Sequence, residues 1–116
     1  MKQESSAVHS FGEQVCVIDK IYIPVNAISA YSEKSAYILD ILHKQAGLIK
    51  FEIFQQKDES GNLSIITIAT WKNQQHLDNA KSVVQEEMKK AGLNMPDFLK
   101  QQGIQMDRGI YHRSME

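Results

Sequence analysis

Four runs rich in β-branched and aromatic residues bracket two amphipathic segments in this chain, and that order leaves few folds open. The first run, Val15-Cys16-Val17-Ile18-Asp19-Lys20-Ile21-Tyr22-Ile23, stops at Pro24, as a strand with a terminator does. Asn26 is placed to cap the helix that follows. In that helix Ile28, Tyr31, Ser35, Ile38, Leu39 and Leu42 recur at spacings of three and four and predict one apolar stripe reaching about Gln45, with Gly47 as the stop. Two further runs, Leu48 to Gln56 and Leu63 to Trp71, flank a polar Gly-containing stretch from Lys57 to Asn62 and predict a hairpin. A second helix begins near Asn73, buries Leu77, Ala80, Val84 and Met88, and ends at Gly92. Lys89 and Lys90 read as its solvated end. Pro96 to Lys100 suits a short extra helix, and Ile104 to Arg113 a last strand.

The order β-α-β-β-α-β predicts an α+β, ferredoxin-like fold: one four-stranded antiparallel sheet with the helices on one face. Residues 1–14 are polar and aperiodic and read as a flexible arm, with Val8 and Phe11 as anchors; residues 15–116 form the domain. A chain of 116 residues suffices for one such core.

The strands do not alternate cleanly between apolar and polar. Val15, Val17, Ile21 and Ile23 share one face of the first strand, yet Cys16, Ile18 and Tyr22 lie on the other. In the second, Ile49, Phe51 and Ile53 oppose Leu48 and Phe54; in the third, Leu63, Ile65, Ala69 and Trp71 oppose Ile66 and Ile68. Too little chain is left to cover this second apolar face. We therefore expect a homodimer that packs sheet against sheet.

Charge and composition narrow the function. Thirteen basic and fourteen acidic side chains give a net charge of -1, against a polyanion-binding surface. We expect no nucleic-acid partner and no membrane partner, since no apolar run approaches the ~20 residues of a span. With no secretory-type apolar core at the N-terminus, we expect a cytoplasmic protein. The one cysteine, Cys16, allows no intrachain disulfide and reads as a small strand hydrophobe. The four histidines, His9, His43, His76 and His112, are scattered without carboxylates at ligand spacing, so no metal site is expected. There is no phosphate loop, no G-x-S-x-G elbow and no H-E-x-x-H motif.

Three features carry a resemblance to a known family. Tyr22-Ile23-Pro24-Val25 leads the first strand into the helix, Gln45 to Glu52 leads into the second strand through a Gly turn, and Ala69-Thr70-Trp71-Lys72-Asn73 joins the third strand to the next helix. Over roughly residues 15–113 the chain resembles the antibiotic biosynthesis monooxygenases, dimeric α/β-barrel proteins. That resemblance implies a cofactor-independent monooxygenase, an enzyme joining O2 to a small aromatic or quinol. A non-enzymatic ligand-binding or stress-response dimer and a haem-binding or haem-degrading protein share the fold and stand as alternatives. The haem-degrading branch pairs a helix His with a first-strand Asn; here the corresponding stretches read Asn79-Ala80-Lys81 and Val17 to Lys20.

Two side chains are taken as candidates for catalysis. Trp71 would wall an aromatic pocket, or else close the core at the strand end. His76, one residue off the helix stripe, would take a phenolic proton, or else sit in solvent. Tyr31, Phe51, Asp19 and Met88 are candidates for the substrate pocket. Tyr37 falls one residue outside the Tyr31 stripe, while Met95 and Met106 would soften the same wall. Asp19 and Lys20 interrupt an apolar strand and point to opposite faces; an ion pair across the dimer is the structural reading of that oddity.

Overall fold

A computed structural model describes residues 13–114 of the chain. Nearly all of the expected arm, with Val8, His9 and Phe11, lies outside the described residues. The elements run β1 (Val15–Ile23), a 3-10 turn (Val25–Ala27), α1 (Ile28–His43), β2 (Leu48–Lys57), β3 (Leu63–Trp71), α2 (Gln74–Lys90), α3 (Met95–Gln102) and β4 (Gln105–Tyr111). The strands pair in the order β2-β3-β1-β4, antiparallel throughout. This is the ferredoxin-like arrangement that the sequence order predicts.

Local chemistry explains most of the boundaries. Asn73 caps α2, its side-chain oxygen accepting the backbone N–H of His76 at 2.9 Å. Asn94 does the same for α3 toward Asp97 at 3.1 Å, with Pro96 in the first turn. Asn26, expected to cap α1, lies instead inside the 3-10 turn; the residue before α1 is Ala27, which makes no side-chain cap bond. Pro24 starts that turn through its carbonyl, which accepts from the Ala27 N–H at 2.8 Å. Asn73→Ala should cost about 1 kcal/mol of stability, the usual worth of an N-cap. Urea unfolding measures it, and an unchanged midpoint would show that α2 does not depend on its cap.

The inner face of the sheet carries two buried clusters rather than one continuous core. Val15, Val17, Ala69 and Trp71 pack with Leu77 and Ala80 of α2 at one end. Ile21, Ile23, Leu63 and Ile65 pack with Ala27 and Ile104 at the other. Between them lie Asp19 on β1 and Thr67 on β3, which are cross-strand partners.

The second strand departs from simple alternation. An irregularity between Leu48 and Lys50 shifts the register against β3. Leu48 therefore packs with Phe51 against the inner cluster, while Ile49 is exposed. The irregularity breaks the period of two, so Leu48 and Phe51 share the inner face instead of opposing one another.

The outer face is apolar in the way the alternation implies. Tyr22, Phe54, Ile66 and Tyr111 are all exposed there, around Ile18 and Ile68. Exposed apolar side chains also occur on the inner face, at the edge strands: Ile53, Met106 and Ile110. The helices cover the middle of the sheet and leave those edges open.

Candidate functional site

Strand register builds the floor of a cavity under the helices. Three rows of inward side chains run across all four strands: Phe51, Ala69, Val17, Ile110; then Ile53, Thr67, Asp19, Arg108; then Gln55, Ile65, Ile21, Met106. The helices roof this floor with Tyr31, Ser35 and Leu42 of α1, with Leu77, Val84 and Met88 of α2, and with Met95 and Leu99 of α3. The cavity volume is about 640 Å³, within the ~300–1,000 Å³ usual for small-molecule sites.

The two outer rows are mainly apolar. The middle row is not. Asp19 is 7% exposed, and both its carboxylate oxygens accept from one guanidinium: Arg108 Nε donates to Oδ1 at 2.7 Å and Nη2 to Oδ2 at 2.8 Å. The fork matches the carboxylate, which gives the pair a fixed orientation as well as attraction. Arg108 itself is about half exposed toward the open β4 edge. Asp19 adds to the hold on the guanidinium proton and keeps Arg108 firmly cationic, with burial opposing.

Tyr31 hangs over this row from α1. Burial pushes its hydroxyl above the usual phenol range; the Asp19 charge pushes the same way and Arg108 opposes. The phenol therefore stays protonated at neutral pH. Among the described residues its hydroxyl has no protein hydrogen-bond partner.

The structure brings five of the six expected site residues to one cavity: Trp71, Phe51, Tyr31, Asp19 and Met88 all line it. Met95 and Met106 line it too. His76 does not. Its ring lies against Gly47, and its Nδ1 donates to Asn73 Oδ1 at 2.9 Å. That amide oxygen can only accept, so the imidazole carries a proton on Nδ1. Being one residue off the Leu77 stripe turned His76 to the β2 junction. Asp19 finds its partner within the chain, not across a dimer, and Lys20 points to the outer face beside Asp107. Arg108 is the residue that sequence reasoning missed. Its signal is the alternation Met106, Arg108, Ile110 in β4, which puts a cation on an otherwise apolar face.

His43 and Tyr37 make contacts of another kind. His43 Nδ1 lies 2.8 Å from the Leu39 carbonyl, and its ring meets Phe51 edge-on. Tyr37 donates to the Glu87 carbonyl at 3.4 Å and ties α1 to α2. Among the described residues no group of three or more His, Cys, Asp or Glu is gathered to hold a metal ion. Among the described residues no helix is long and apolar enough to cross a membrane.

The chain matches no protein-family model and no curated protein. Solved structures do resemble it. A candidate monooxygenase from Shewanella loihica PV-4 superposes with a TM-score of 0.62 at 19% identity, covering 90% of this chain and 96% of that one. A variant of SnoaB, a cofactor-independent oxygenase from Streptomyces nogalater, gives a TM-score of 0.60 at 12% identity over 90% of this chain and 96% of that one. A dimeric ferredoxin-like protein from an uncultured marine organism gives 0.59 at 13% identity, covering 90% of this chain and 98% of that one. Identities this low establish a shared fold, and a shared fold hosts many functions.

Proposed function

We propose that the cavity is an oxygenation site for a small electron-rich aromatic or quinol, working without metal or flavin. The observation that carries this reading is the cavity itself: an apolar space lined by the rings of Trp71, Phe51 and Tyr31 and crossed by a single charged row. The likeness to SnoaB and to the Shewanella protein supports it at the level of fold. In this reading the substrate phenol or enol gives its proton to Asp19, which has acceptor capacity beyond its two bonds to Arg108. Arg108 balances the charge that appears on the substrate oxygen. The carbanion form then reduces O2. A ring CH2 plus O2 becomes C=O plus H2O, so the four electrons come from the substrate and no external reductant is needed. His76, facing Gly47, has no part in this scheme.

We also propose that the protein works as a homodimer through the outer face, where Tyr22, Phe54, Ile66 and Tyr111 are exposed. The dimeric neighbour supports this.

The test is oxygen uptake with anthrone and a set of hydroquinones. We expect uptake above the spontaneous rate, one O2 per quinone formed, unchanged by chelator, and slowed roughly 10²-fold in Asp19→Asn. Uptake no faster than the blank across the panel would overturn the enzyme reading and favour a ligand-binding protein on the same cavity. No histidine lines the cavity among the described residues, so a haem alternative lacks a histidine axial ligand there.

A further inference from the structure

We infer that Asp19 sets the substrate class of this cavity: the site takes an oxygenated aromatic in its neutral form and rejects the corresponding carboxylate. The inference rests on the cavity being the substrate site, as proposed above, but not on any oxygen chemistry.

An arginine alone on an apolar cavity floor would be an anion trap, since its fork matches a carboxylate. Here that fork is already occupied. Nε and Nη2 of Arg108 are both committed to Asp19, at 2.7 and 2.8 Å. Nη1 takes no part in that pair. A ligand oxygen on Nη1 shares one guanidinium with the Asp19 carboxylate and so stays within range of its charge. A second carboxylate there would meet a like charge in a partly dry cavity, where repulsion is stronger than in water. A neutral ligand meets the opposite situation. Its carbonyl or phenol oxygen can accept from Nη1, and its O–H or N–H can donate to the free lone pairs of Asp19.

The Tyr31 hydroxyl adds a further polar group at this row, one that can donate to a neutral ligand's oxygen. It is partly buried at this row, stays protonated, and has no protein partner among the described residues. A bound polar group of the ligand would supply one. The other charged side chain on the cavity wall is Lys81 of α2, which is exposed and so is screened by water and salt. The Asp19–Arg108 pair is neutral as a unit, and what it offers a ligand is a donor beside an acceptor.

The experiment compares 2-naphthamide with 2-naphthoate, which have nearly the same shape and differ in charge. Each is titrated into the full chain by calorimetry at neutral pH. In the native protein the amide should bind roughly tenfold or more tightly than the carboxylate. Asp19→Asn leaves Arg108 uncompensated, so naphthoate should tighten by roughly tenfold or more and the order should invert. The native ratio needs no variant, so the proposal stays testable even where Asp19→Asn fails to fold. Naphthoate binding the native chain as tightly as the amide would overturn the inference; so would an unchanged ratio in a folded Asp19→Asn protein, or no binding of either probe. An inverted ratio with no oxygen uptake from any hydroquinone would sink the oxygenase reading and leave this one standing. Catalysed uptake with equal binding of both probes would do the reverse.

Discussion

Trp71→Ala should cost about 3–5 kcal/mol of folding stability, the usual cost of emptying an aromatic site in a core. That is a large share of the ~5–15 kcal/mol available to a domain of ordinary stability. Trp71 is 1% exposed. It ends β3, opposite Val15 on β1 and Leu48 on β2, and packs with Leu77 and Ala80 of α2. The ring thus joins three strands to one helix at the end of the cavity. The smaller change Trp71→Phe keeps an aromatic in place and should cost about 1–2 kcal/mol. Urea denaturation followed by circular dichroism measures both, since the variants lack the only tryptophan. A loss under about 1 kcal/mol for Trp71→Ala would mean that the residue closes no core. Trp71→Phe serves the functional question: a folded variant with slowed oxygen uptake would show that the indole shapes the cavity beyond filling it.

The same residue shows what was legible beforehand. Its place at a strand-to-helix junction follows from local pattern: an apolar run, then Lys72-Asn73, then a helical stripe. The α1 stripe is equally local, and Tyr31, Ser35, Ile38, Leu39 and Leu42 all line the cavity as their spacing implies. Asp19 was recognisable as an anomaly, because a carboxylate in an apolar strand needs a partner. Its partner was not recognisable. Arg108 is eighty-nine residues away in sequence, and only the β1–β4 register sets them side by side. Period-two reasoning carries no information about which strands are neighbours. It also fails at a bulge, which is why Leu48 joins Phe51 on the inner face. His76 is the opposite case. Its offset of one residue from the Leu77 stripe already turns it away from the apolar face.

The turn that holds His76 yields the second large effect. Gly47→Ala should cost about 3 kcal/mol, more than either of its two causes alone. The first cause is the backbone. Gly47 has φ of 92°, where a Cβ meets the following carbonyl and costs about 1–2 kcal/mol. The second is space. A Cβ on Gly47 would run into the ring of His76. Neither side can easily retreat. The Gly47 carbonyl accepts the Lys72 N–H at 2.7 Å, which ties this turn to the end of β3. The His76 ring donates to Asn73, the cap of α2, so swinging it aside gives up that bond. Gly92→Ala is the control. Gly92 also has a left-handed φ, 70°, but a Cβ there meets nothing within 4 Å, so only the backbone cost of about 1–2 kcal/mol should appear. Adding His76→Ala to Gly47→Ala should then recover the ring's share of the steric cost but not all of it, because the His76 Cβ that alanine keeps is also in the way; the recovered share is a coupling that a double-mutant cycle reads directly. Equal losses for Gly47→Ala and Gly92→Ala, with no coupling to His76→Ala, would show that His76 does not press on the turn. A clear coupling would make His76 the residue that fixes how α2 meets β2, a structural task at the edge of the cavity that Asp19 and Arg108 cross.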